Sequence, residues 1–213
     1  MHEIISKDSL KNLLRDCWSL QLKKVTEWHQ NEPGLFLDEL DDQSDLRDIV
    51  LAQHLCNFKL WHVEDKARRT DVSPEVIANC KREIDGLNQQ RNDLIEKMDA
   101  WLVQRIETIL PKEAKTRYNT ETIGSALDRM SILSLKIYHM QEQTQRQDVD
   151  KEHITRCREK LVTLWEQHED LGQSILDLIE EYALGLKRPK VYFQFKMYND
   201  PKLNPELYSR SKG

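Results

Sequence analysis

The chain has 213 residues, 32% of them charged and 38% apolar, with a formal net charge of -5 and only 6 Gly and 6 Pro. That length allows one domain with a sizeable core, and the scarcity of turn formers favours amphipathic helices over a sandwich or barrel. Acids and bases are interleaved, so no global field draws in nucleic acid, and no apolar run nears the roughly 20 residues that span a bilayer.

Residues 8–30 are expected to be helical. Asp8-Ser9 can cap, and Leu10, Leu13, Leu14, Cys17, Trp18, Val25 and Trp28 recur at three- and four-residue steps. Asn31-Glu32-Pro33-Gly34 stops that helix, and Leu35 to Leu40 reads as a connector laid on the bundle, closing an N-terminal segment at residue 42. A hairpin over 43–110 follows. Its first helix reaches about Arg69, and Ser73 caps a second that begins at Pro74. Pro111 to Asn119 is a polar linker. A second hairpin spans 120–185, with helices ending near Arg146 and Leu184, the latter closed by Gly185. In the tail, 186–213, Val191, Phe193, Phe195 and Met197 alternate with polar or aromatic residues, the period of an extended arm or edge strand.

The two hairpins repeat one another. Shifting by 77 residues aligns Lys59–Leu94 with Lys136–Leu171 without a gap, with twelve identities in thirty-six positions, among them His62/His139, Arg69/Arg146, Asp71/Asp148 and Cys80/Cys157. A single hairpin cannot bury its apolar stripe, whereas two can. The expected fold is all-α: a four-helix bundle from two duplicated hairpins, an N-terminal helix and an extended C-terminal arm, in one domain.

Ionisable residues fall on the stripes that should face inward. Leu51, Leu55 and Phe58 continue into His62, Asp65 and Arg69; Ile132 and Leu135 continue into His139, Glu142 and Arg146. Asp128 and Ser131 share the latter stripe, and Arg91 and His168 occupy equivalent places on the long helices. Buried charges are paired or eliminated. A polar cluster is therefore expected, in which Asp65 or Glu142 accepts from an Arg or a His. The same residues at the hairpin tips also suit ordinary surface pairing, and a structural salt bridge serves Arg91, Asp128 and His168 as well as a ligand site does.

Glu64, Asp65, Asp85 and Asp93, with Asn88 and Asn92, could gather oxygen donors for Mg²⁺ and a phosphate substrate; a helix face carrying Asp and Asn is more usually just a wet one. His62 and His139 are the candidate proton carriers, since imidazole titrates near neutrality. Arg91, Arg129 and Lys136 are the candidate phosphate contacts. The seven His are dispersed and no Cys sits near a His at ligand spacing, so a zinc site is less expected than a Mg²⁺ site. The 4 Cys (Cys17, Cys56, Cys80, Cys157) read as buried free thiols of a cytoplasmic protein; the first eight residues carry no leader-like pattern. The second hairpin's first helix carries Leu127, Met130, Leu133, Ile137 and Met140 opposite its inward stripe, so the N-terminal helix, the arm or a second subunit must cover it.

The stretches Asn57-Phe58-Lys59-Leu60-Trp61-His62-Val63-Glu64-Asp65, Ile84 to Asp93, Thr120 to Ser125, Asp128 to Met140 and Lys196 to Pro201 resemble an all-helical bacterial family described only as a domain of unknown function. The resemblance covers nearly the whole chain. It implies genes beside glycosyltransferases of lipopolysaccharide or surface-glycan synthesis, and it brings no catalytic residue with it. Three readings follow: an accessory factor of surface-polysaccharide assembly that binds a partner enzyme or a phosphorylated sugar; a Mg²⁺-dependent hydrolase or transferase of nucleotide or sugar phosphates; and a structural dimerisation module.

Overall fold

The computed structural model describes residues 5–34, 40–41, 44–192 and 200–208. Every regular element among them is helical: α1 Lys7–Gln30, α2 Leu46–Ala67, α3 Pro74–Ile109, α4 Ile123–Thr144, α5 Lys151–Ala183 and a single turn, α6 Pro205–Tyr208. The stretch expected as an extended arm lies largely in 193–199, and most of the expected connector in 35–39, both outside the described residues.

Side-chain caps set most helix starts. Ser6 accepts from the Ser9 N–H at 3.1 Å, so α1 opens ahead of Asp8-Ser9, and Asp8 instead lies in the first turn, where a carboxylate suits the helix dipole. Asp45 and Asp48 form a capping box on α2, which therefore starts three residues later than expected. Thr122 accepts from Ser125 N at 3.0 Å and Asp150 from His153 N at 2.6 Å. Ser73 has the extended backbone of a cap but makes no side-chain bond; Pro74 alone presets that start. At the other end of α5, Gly185 takes φ +67, and Leu186 N–H reaches back to Glu181 O at 2.8 Å, closing the helix in a Schellman turn.

Helices α2 and α3 pack as one hairpin, α4 and α5 as the other, and α1 lies across α2 and α4. Both α2 and α4 are 22 residues long, and both hairpins begin at positions set off by the spacing of the sequence repeat. One apolar cluster joins all five long helices, with Leu14, Ile49, Met98, Leu127, Met130 and Ile179 fully or almost fully buried. A second, of Val25, Trp28, Leu55, Phe58 and Leu135, fills the angle where α1, α2 and α4 meet. Full burial of each large apolar side chain contributes roughly 1.5–3 kcal/mol.

The apolar outer face of α4 is thus covered from within the chain: Leu127 and Met130 pack in the same cluster as Leu10, Leu14 and Cys17 of α1, and Gln21 of α1 donates to Leu127 O at 3.1 Å. Helix α2 departs from the expected single stripe. Residues 52–58 are all buried, because α1, α3 and α4 surround it, and Gln53, His54 and Asn57 are buried polar groups the stripe argument passed over. All four cysteines are free and buried; burial pushes the thiols of Cys17 and Cys56 up to about 12, which keeps them protonated and inert.

Candidate functional site

The seam between the hairpins holds a polar network. Asp128 on α4 is 5% exposed. Its carboxylate accepts from Arg91 Nε of α3 at 2.7 Å, from a second Arg91 nitrogen, and from Gln53 and Asn57 of α2. Asn57 also donates to Ser131 Oγ at 2.9 Å, and His54 Nδ1 meets the same hydroxyl at 2.7 Å. Asp128 thus forms a salt bridge with Arg91 inside the bundle, supported by two amide donors of α2. Arg91 stays half-buried, with Nη1 turned toward Asn88 Oδ1 at 3.5 Å. Both residues line a cavity of about 430 Å³.

Further along α2 and α4 from this network the fold gathers three imidazoles. His62 of α2 and His139 of α4 meet His29, which lies in the last turn of α1. One ring nitrogen from each lies within 4.8 Å of the other two. The seven His are dispersed along the sequence, but the fold gathers three of them. A second pair was also missed, since Cys157 Sγ lies 3.4 Å from His153 Nε2, one turn apart on α5.

Aromatic neighbours fix the triad's rings. Tyr138 stacks on His29 at 4.0 Å between centroids, Trp61 stacks on His139 at 4.7 Å, and Phe58 contacts both His29 and His62. Each Nδ1 is engaged: His29 with Val25 O at 2.7 Å, His62 with Phe58 O at 2.8 Å, and His139 with Glu142 Oε2 at 2.8 Å. The last is the acceptor role expected of Glu142. Burial, with the neighbouring imidazoles adding, lowers the pKa of His29 and favours its neutral form, against the opposing pull of the Val25 carbonyl.

His139 and Trp61 also form part of the wall of a cleft of about 880 Å³ between α2, α4 and α5, lined further by Asp65, Lys136, Arg156, Lys160 and Leu164. Trp61 and Asp65 border the smaller cavity beside Arg91 as well. Lys136 also lines an adjoining groove between α4 and α5, together with Arg129 and Asp170. Among the described residues, Arg129, Lys136 and Lys160 have no carboxylate partner in an ion pair, whereas Arg156 is paired with Glu152.

The expected Mg²⁺ ligands are not brought together. Asp85 is held by Lys81, Asp93 accepts from Gln89 at 3.0 Å, and Glu64 and Asp65 both pair with Arg68. The one group of three or more His, Cys, Asp or Glu side chains placed to share an ion, among the described residues, is the histidine triad. Asn92 is half-buried on α3 and lines none of these cavities. Arg69 and Arg146, expected to serve Asp65 or Glu142, turn instead to Asp71 and Asp148 across the hairpin turns, at 2.7 and 2.6 Å. His168 is buried against Trp165 with Nε2 unpartnered, away from the seam's network.

The molecule is thus an all-α bundle of two hairpins braced by a fifth helix, with an imidazole cluster at the edge of an inter-helix cleft. The chain belongs to the family described as protein of unknown function DUF4254, whose model matches residues 47–191. That span takes in α2 to α5, with His62 and His139, while His29 lies ahead of it on α1. No curated protein and no solved structure matches the chain significantly. No helix among the described residues is long and apolar enough to cross a membrane.

Proposed function

We propose that the chain binds a phosphorylated small molecule, of the sugar phosphate or nucleotide sugar class, in the cleft between α2 and the α4–α5 hairpin. The observation that carries the reading is the pairing of chemistries in one wall. Lys136 and Lys160 supply cationic ammonium groups with no carboxylate partner in an ion pair, beside the indole of Trp61. Ammonium groups neutralise phosphate, and an aromatic face takes up the apolar face of a sugar or base. Arg129, on the same side of α4 as Lys136, extends the cationic edge into the adjoining groove. The cleft volume lies within the range usual for small-molecule sites.

The resemblance to proteins encoded beside surface-glycan glycosyltransferases gives this reading a setting, because nucleotide sugars are donors in such syntheses. An accessory role in lipopolysaccharide or capsule assembly is part of the proposal. Titration calorimetry with UDP-glucose and with inorganic pyrophosphate tests the binding. Binding that weakens at least tenfold in both Lys136→Glu and Lys160→Glu supports it. Absence of binding, or binding indifferent to both substitutions, removes it.

A further inference from the structure

We propose that His29, His62 and His139 form a binding site for one transition-metal ion of the Zn²⁺ type. The argument begins with tautomers. A carbonyl oxygen can only accept, so the contacts to Val25 O and Phe58 O require a proton on Nδ1 of His29 and His62. The Glu142 carboxylate imposes the same tautomer on His139. Each neutral ring therefore carries its free lone pair on Nε2, the form in which imidazole binds metals. A hydrogen bond from the opposite nitrogen to a carbonyl or carboxylate is the usual arrangement behind metal-bound histidine.

Two of these three lone pairs have no partner among the described residues. Nε2 of His29 and of His139 is buried without a hydrogen-bond partner among the described residues, and a buried unsatisfied polar atom is costly. Nitrogens sharing a tetrahedral Zn²⁺ at about 2.0–2.1 Å sit roughly 3.4 Å apart. One nitrogen of each ring already lies within 4.8 Å of the other two, so a small adjustment of the rings, about 1.5 Å at most between those atoms, brings three nitrogens to that spacing. The stacked Tyr138 and Trp61 rings hold the planes of His29 and His139 meanwhile.

The donor set selects the ion. Three neutral nitrogens suit Zn²⁺, Co²⁺, Ni²⁺ or Fe²⁺ and are poor ligands for Mg²⁺ or Ca²⁺. His29 lies in the last turn of α1, where the helix dipole favours a cation. His62 is exposed and gives the ion a path in. Three protein donors leave a tetrahedral ion one position for water or an outside ligand. The site stands on this geometry whether or not the cleft binds a phosphate.

Full-length, tag-free protein is stripped with chelator and titrated with Zn²⁺ by calorimetry and with Co²⁺ by visible absorption. The expected result is one ion per chain, with the intense d–d bands of tetrahedral Co²⁺. Affinity should fall at least 100-fold in His62→Ala and in His139→Ala, and about 10- to 100-fold in Glu142→Gln, which keeps all three ligands. His153→Gln should bind as the parent does. Absence of binding in the parent, or full affinity in His62→Ala, overturns the site. Loss of binding in His153→Gln also overturns it, because that result places the ion at His153 and Cys157.

Discussion

Arg91 on α3 and Asp128 on α4 are joined by a two-point ion pair, with Nε to Oδ1 at 2.7 Å, that ties one hairpin to the other. Asp128 is almost fully buried and the Arg91 side chain is 24% exposed. Removing one member leaves a charge in the interior with no counter-charge, at a cost of about 3–5 kcal/mol. Arg91→Met should lose that much in urea denaturation. The double variant Arg91→Met, Asp128→Leu should recover part of it. A double variant as unstable as the sum of the singles would show that the two side chains do not act as a pair.

Gly124 and Gly86 should respond to alanine with opposite signs. A Cβ on Gly124 would sit 2.6 Å from Asp99 Oδ1 and 3.0 Å from the backbone oxygen of Ile95. Asp99 cannot easily withdraw, because it is buried and accepts the Gly124 N–H at 2.8 Å. Gly124→Ala should therefore cost about 1–3 kcal/mol. A Cβ on Gly86, on the exposed side of α3, meets nothing within 4 Å. Gly86→Ala should stabilise by about 0.4–1 kcal/mol. Thermal and urea unfolding of both variants give the comparison, and equal shifts for the two would contradict it.

The helices were legible because their signals are local. Leu10, Leu14 and Cys17 recur at helical spacing, and Gly185 sits where a helix end needs it. Asp128, Arg91, His62 and His139 were legible as charged or titratable groups on stripes that otherwise carry leucine. His29 was not. It lies on another helix, and no spacing in the chain announces that α1 ends beside α2 and α4. Its one signal was that it follows Val25 by four residues on the buried side of α1. Gln53, His54 and Asn57 were missed for a related reason: periodicity assumes one buried face, and α2 is enclosed by three helices. Asp85 and Asp93 meet Lys81 and Gln89 of their own helix, a lateral pairing that sequence spacing alone does not separate from convergence.

The hairpin tips should matter little to stability despite good geometry. Arg69 pairs with Asp71 and Arg146 with Asp148, both through two nitrogens and both in solvent. Water and salt screen such pairs, and side-chain ordering offsets most of what remains. Asp71→Asn and Asp148→Asn should leave the thermal midpoint within error at moderate salt. A drop of several degrees in either would mean that the tip is fastened to something beyond its own turn.

Acid should weaken the fold well above the carboxylate range, and His54 is the main reason. The ring is fully buried between Trp28 and Ser131, and burial lowers its pKa from 6.5 to about 3. His29 and His168 are shifted in the same direction, again chiefly by burial. Between pH 3 and 6.5 the unfolded chain binds the His54 proton and the folded protein does not. Stability therefore rises with pH through that window, is essentially complete above about pH 6.5, and is lost progressively below it. From pH 7 to pH 5 this ring alone should remove about 2 kcal/mol. Urea unfolding at the two pH values measures the total, and ¹H–¹⁵N spectra of the imidazoles isolate His54. Its ring signals should stay those of a neutral imidazole at pH 5; a midpoint near 6.5 would show that the ring reaches water and that the acid sensitivity arises elsewhere.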